Sequence, residues 1–117
     1  NNRKKEIIVS LLTEITNNIE ISKEVNIIGT NAFFGQKSMT QIIIPKGVTS
    51  IEGGAFSECS KLERVEIPNT VTDIANTAFS AESFNLSEII IHNKENSIAG
   101  APWGAAKGMK VIQWVGK

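Results

Sequence analysis

The chain has one cysteine, one histidine, no excess of either charge and no long apolar run, and each shortage removes a class of protein. Cys59 by itself forms no internal disulfide framework, and Cys59 with His92 falls well short of a structural zinc site. Twelve basic side chains face twelve acidic ones, and no like-charged block is longer than Arg3-Lys4-Lys5, so neither nucleic acid nor an anionic membrane is indicated as a partner. The apolar runs are too short to span a bilayer. The start, Asn1-Asn2-Arg3, carries no initiator Met and no apolar leader, as expected of an excised or processed chain. A length of 117 residues allows one small domain.

What the chain does have is repetition. Val25, Val48 and Val71 recur at an interval of 23, as do Ile28, Ile51 and Ile74 and the pairs Ala32-Phe33, Ala55-Phe56 and Ala78-Phe79. Met39, Leu62, Leu86 and Met109 form another column, and two more run Ile19, Ile42, Val65, Ile89, Ile112 and Ile21, Ile44, Ile67, Ile91, Trp114. Pro45 and Pro68 share a column with Ser22 and His92. One residue inserted between Phe79 and Leu86 makes the third copy 24 long, a change that a loop absorbs. A fixed period of this length predicts a solenoid, in which each coil buries its apolar side only against its neighbours.

Within a copy, Val65-Glu66-Ile67 alternates inward and outward residues and ends at Pro68, which suits a short strand needing no further ladder donor. Successive copies must lie parallel, at about 4.8 Å per strand. A turn follows at Pro-Asn-Thr-Val or Pro-Lys-Gly-Val, then a second extended piece from Val48 to Ile51. Gly53-Gly54 bends the chain back, and residues 57–60 return it through a helical or irregular turn. Residues 2–17 stand apart, because Ile7, Ile8, Leu11, Leu12 and Ile15 recur at three- and four-residue spacing with Lys5, Glu6 and Glu14 on other faces. That pattern predicts an amphipathic helix, N-capped by Asn2 and stopped at Asn17-Asn18. It is expected to close the first end of the stack, the alternative being the tail of an upstream domain.

The run from Pro45 to Pro68, PKGVTSIEGGAFSECSKLERVEIP, closely resembles the consensus of BspA-type leucine-rich repeats, also called the Treponema pallidum type. The resemblance extends over about Ile19 to Val115. The last copy departs from it, with Pro102-Trp103 in the Ala-Phe place and Gly100, Gly104 and Gly108 around it, as a terminal cap requires. The expected fold is therefore α/β: a right-handed leucine-rich-repeat solenoid over 19–117, with a capping helix over 1–18 and a divergent cap repeat over 93–117. The resemblance implies a cell-surface or secreted bacterial protein, adhesin-like, that binds host or neighbouring-cell components.

Five constellations have chemical readings and simpler structural ones. The column Phe33, Phe56, Phe79, Trp103 is expected to be an internal stack, each ring worth about 2 to 3 kcal/mol of burial, and not an aromatic binding stripe. Cys59 and His92 would lie at opposite strand ends, roughly 15 Å or more apart, too far for a nucleophilic pair. Cys59 reads as a small buried apolar residue, where the resemblance also places a cysteine, and His92 as a solvated turn residue. Glu66 and Glu88 project from one sheet face at about 8 Å, a separation that inverting glycosidases use. Arg64, however, occupies the row of Glu88 one strand away, and a cross-strand ion pair on an open sheet is the simpler arrangement. Gly100-Ala101-Pro102-Trp103-Gly104 lacks the spacing of a phosphate-binding loop. Asn85-Leu86-Ser87 is a formal glycosylation sequon set on a core column.

The outward rows of the strands remain: Gln41, Arg64, Glu88, Val111 in one, and Ile43, Glu66, Ile90, Gln113 in the next. Ile43 and Ile90 fall where Glu66 shows that the fold demands no apolar residue. These eight residues are the candidate binding face. The expected protein is a non-enzymatic, cofactor-free, monomeric interaction domain for a protein or glycan ligand. The alternatives are a structural spacer and an accessory domain of a larger enzyme or wall-associated protein.

Overall fold

Each repeat places two short alternating segments in succession, and each becomes a strand. In chain order these are β1 (Ile8–Val9), β2 (Ile19–Glu20), β3 (Ile27–Ile28), β4 (Gln41–Ile43), β5 (Ser50–Ile51), β6 (Arg64–Ile67), β7 (Asp73–Ile74), β8 (Glu88–Ile91) and β9 (Val111–Trp114). The computed structural model describes residues 8–9, 19–79, 86–95, 97–101, 103–104 and 111–116. The chain winds between two parallel sheets, one in the order β1-β3-β5-β7 and the other β2-β4-β6-β8-β9. Of the extended piece from Val48 to Ile51, Ser50–Ile51 forms β5, which is paired on both sides.

The registers reproduce the sequence columns. Ile19, Ile42, Val65, Ile89 and Ile112 stand side by side, and so do Ile28, Ile51 and Ile74. The one-residue lengthening of the third copy falls at 80–85, outside the described residues, and the pairing of Val65 with Ile89 shows that it leaves the ladder undisturbed. Alternation along β6 and β8 turns Val65, Ile67, Ile89 and Ile91 inward, where all four are fully buried.

The Ala-Phe column forms the third side of each coil. Phe33 and Phe56 stack at 5.3 Å between ring centroids with 2° between planes, and Phe56 and Phe79 at 5.4 Å with 13°. The spacing follows from the coil separation, because each ring is carried on backbone that is itself bonded to the next coil. Phe33 N–H donates to Ala55 O at 2.8 Å, Phe56 N–H to Ala78 O at 2.8 Å and Phe79 N–H to Trp103 O at 3.0 Å. The corner before the column is tight. Gly54 has φ +71° and its Cα lies against the Asn31 carboxamide, so a Cβ there would both strain the backbone and collide.

One expectation needs correction, and another is not carried by the described residues. No helix occurs among the described residues, which form a β-solenoid, so the α/β label is not carried over to them. Residues 57–60 return the chain through turns. The helix expected over 2–17 is interrupted at Ile8–Val9, which pairs as β1 with Ile27–Ile28. β-Branched residues favour strand, and the free edge of β3 offers ladder partners that a helix on that face would leave unbonded. The other residues of 1–18, Asn2 and Asn17 among them, lie outside the described residues, as do 105–110 of the cap repeat.

Candidate binding face

The outward rows assemble as the strand pattern requires. Gln41, Arg64, Glu88 and Val111 are consecutive Cα partners across the five-stranded sheet, and Glu20, Ile43, Glu66, Ile90 and Gln113 form the next row. Ile43 is 56 % exposed, the most open large apolar side chain among the described residues. Ile90 is only half-buried and not fully exposed, being flanked by Glu66 and Gln113 on the neighbouring strands. The Val111 side chain lies outside those described.

Five polar side chains on this face join into one network. Arg64 Nε pairs with Glu88 Oε1 at 3.2 Å, and another of its nitrogens with Glu66 Oε1 at 3.5 Å. Gln113 Nε2 donates to Glu88 Oε2 at 2.9 Å, and His92 Nε2 meets Glu66 Oε2 at 2.7 Å. The two glutamates therefore share one guanidinium and hold each other's rows in register. As acid and base they have no enclosed substrate site between them, since each carboxylate is partly exposed on an open sheet.

His92 is exposed, as expected of a solvated turn residue, but it also has a partner on the face. Its backbone N–H still bonds to Ile67 O at 2.9 Å, one residue past β8, and its ring meets Glu66, whose strand partner is Ile90. Beside it, at the C-terminal ends of β4 and β6, lies a groove of about 280 Å³ lined by Ile43, Pro45, Lys46, Pro68, Asn69 and His92, with Glu66 on its wall. A larger hollow of about 480 Å³ follows β5 and β7 on the other sheet, and includes Glu52, Asp73 and Asn76. Its carboxylates are engaged locally: Glu52 accepts from Thr30 N–H at 3.1 Å and Thr30 Oγ1 at 3.2 Å, and Asp73 from Thr72 Oγ1 at 3.2 Å. No group of three or more His, Cys, Asp or Glu among the described residues is placed to hold a metal ion.

The family model described as a BspA type leucine rich repeat region (6 copies) matches residues 12–102. The chain belongs to this family. Comparison with curated proteins and with solved structures gave no match. BspA-type leucine-rich repeats are interaction modules and not a known enzyme family, and the strands here hold the side chains of this face at fixed spacing.

In this BspA-type domain the remaining sequence candidates take structural roles. Cys59 is fully buried, its Sγ 3.1 Å from Phe33 O, and burial pushes the thiol up from its usual 9.0 to about 11, against smaller opposing effects of the Gln36 backbone and the Lys37 charge. It shares no contact with His92. Phe33, Phe56, Phe79 and Trp103 are all fully buried. Leu86 of the formal sequon is buried, and Asn85 lies outside the described residues. Phe34, 46 % exposed, escaped the sequence reading because it adjoins the buried Phe33 in a turn, where no alternation distinguishes the two.

Proposed function

We propose that this BspA-type domain is a non-enzymatic docking module that captures a protein on the outward face of the five-stranded sheet, within a bacterial cell-surface or secreted, adhesin-like protein. The observation that carries the proposal is the pairing of the exposed Ile43 with the adjoining network of Arg64, Glu66, Glu88, His92 and Gln113. An apolar centre bordered by hydrogen-bonding groups is the anatomy of a protein interface. The strands hold these groups at fixed spacing, so binding orders few of them further. A protein is favoured over a glycan because no aromatic side chain stands on the two outward rows to provide a stacking platform.

The test is the double substitution Ile43→Ser with Ile90→Ser, measured for thermal stability and for capture of a panel of extracellular-matrix proteins and glycans. Stability stays within about 1 kcal/mol of the parent, since neither side chain is in the core. Capture of the protein partner falls at least tenfold, the loss expected for one or two central apolar contacts. Undiminished protein capture places the site elsewhere. Capture of glycans alone overturns the choice of partner, and no capture by the parent chain leaves the domain as a spacer or accessory module.

A further inference from the structure

Each carboxylate oxygen of the network on the outward face has a partner there. Glu66 contributes to the wall of the groove beside Ile43, where its Oε1 pairs with Arg64 at 3.5 Å and its Oε2 with His92 at 2.7 Å. The lining groups left without a partner among the described residues are Lys46 and the Asn69 carboxamide, both exposed on the turns that follow β4 and β6. On its turn side the groove therefore carries one unpaired cation, Lys46, and one carboxamide that can donate or accept. Its floor is apolar, formed by the exposed Ile43 with Pro45 and Pro68. At about 280 Å³ the groove lies at the lower edge of the ~300–1,000 Å³ usual for substrate and cofactor pockets and has room for one side chain.

We infer that this groove seats one aliphatic side chain of the partner protein, with an aspartate or glutamate beside it in sequence paired to Lys46. The inference rests on the outward face being a protein-binding surface and names the chemistry recognised there. Complementarity fixes the sign of the charge. A partner lysine would meet Lys46, with Glu66 already paired to Arg64 and His92, whereas a partner carboxylate meets Lys46 and the Asn69 amide together. The aliphatic side chain supplies area against Ile43 and the two proline rings, which hold a fixed shape and lose no rotamer freedom on contact.

The probes are three blocked peptides, acetyl-Gly-Leu-Asp-Gly-amide and its Asn and Lys counterparts, titrated into the ¹⁵N-labelled chain and followed by NMR. The Asp peptide should shift the amides of Ile43, Lys46, Asn69 and His92, and bind about 3- to 5-fold more tightly than the Asn peptide, as one exposed ion pair allows. The Lys peptide should bind most weakly. Lys46→Gln abolishes the Asp preference, Lys46→Arg keeps it, and about 1 M NaCl removes it by screening. Ile43→Ser weakens the Asp and Asn peptides alike. An Asp preference that survives Lys46→Gln overturns the inference, as does tightest binding by the Lys peptide. Shifts confined to the Arg64 and Glu88 rows overturn the groove as the seat while leaving the protein-binding face intact. Loss of partner capture in the Ile43 and Ile90 double variant, with no groove shifts from any peptide, does the same.

Discussion

Cys59 illustrates how far the environment of one residue departs from its sequence appearance. A lone thiol invites a reactive reading, yet this one sits in the core against the Phe33 carbonyl, and burial raises it from 9.0 to about 11. The consequence for stability has a definite sign. Well below pH 9.0 the thiol is protonated in both folded and unfolded chains and contributes no pH dependence; as pH rises through 9.0 toward about 11 the unfolded chain releases a proton that the folded chain retains, so stability falls. Urea unfolding from about pH 8 to pH 10.5 should show this fall in the parent chain. Cys59→Ala, although less stable at pH 8, should show a shallower one. Equal slopes would mean that Cys59 ionises as easily in the folded chain as in the unfolded one.

At the scale of the element, the Ala-Phe column does what a helix does in other leucine-rich architectures: it closes the coil on a side that the sheets leave open. Phe56 is the middle ring, stacked on Phe33 and Phe79 at 5.3 and 5.4 Å, and the backbone hydrogen bonds at this corner fix the ring positions. A cavity left by Phe56→Ala cannot close without shifting two coils, so the substitution should cost about 3 to 5 kcal/mol in chemical denaturation. Phe34→Ala, one position from a column residue but exposed, should change stability by no more than about 0.5 kcal/mol. A parent-like midpoint for Phe56→Ala would show that the column bears little of the packing.

The whole molecule is a stack in which each coil depends on the next, and its last described coil tests that coupling. Trp103 continues the Phe column, fully buried, with its indole N–H donating to Ala99 O at 2.7 Å. Trp114 continues the Ile91 column and packs edge-on against Trp103 at 6.0 Å, but is only partly buried. In Trp114→Phe the remaining indole should emit at short wavelength and resist acrylamide, while in Trp103→Phe the remaining one should be quenched to an intermediate degree. Nearest-neighbour stacking further predicts that indole emission and far-ultraviolet circular dichroism change at the same denaturant concentration. An earlier change in emission would show that the last coil melts apart from the rest.

The repeat period by itself determined the parallel order of the strands, the register of the apolar columns that lie in the described strands and the pairing of Arg64 with Glu88. These follow from alternation and from a constant coil length, both of which are properties of residue spacing. Three things were decided only by tertiary structure. Ile8–Val9 became an edge strand because β3 offered it backbone partners, although the spacing of Ile7, Ile8, Leu11, Leu12 and Ile15 equally matched a helix. His92 reached Glu66 because its backbone N–H bonds to Ile67 O and so carries the ladder one residue past β8, beyond the point where the proline column ends the strand in the sequence pattern. The groove beside Ile43 exists because turns from two successive coils place Pro45, Lys46, Pro68 and Asn69 around one strand end, an arrangement of residues that share no alternating pattern.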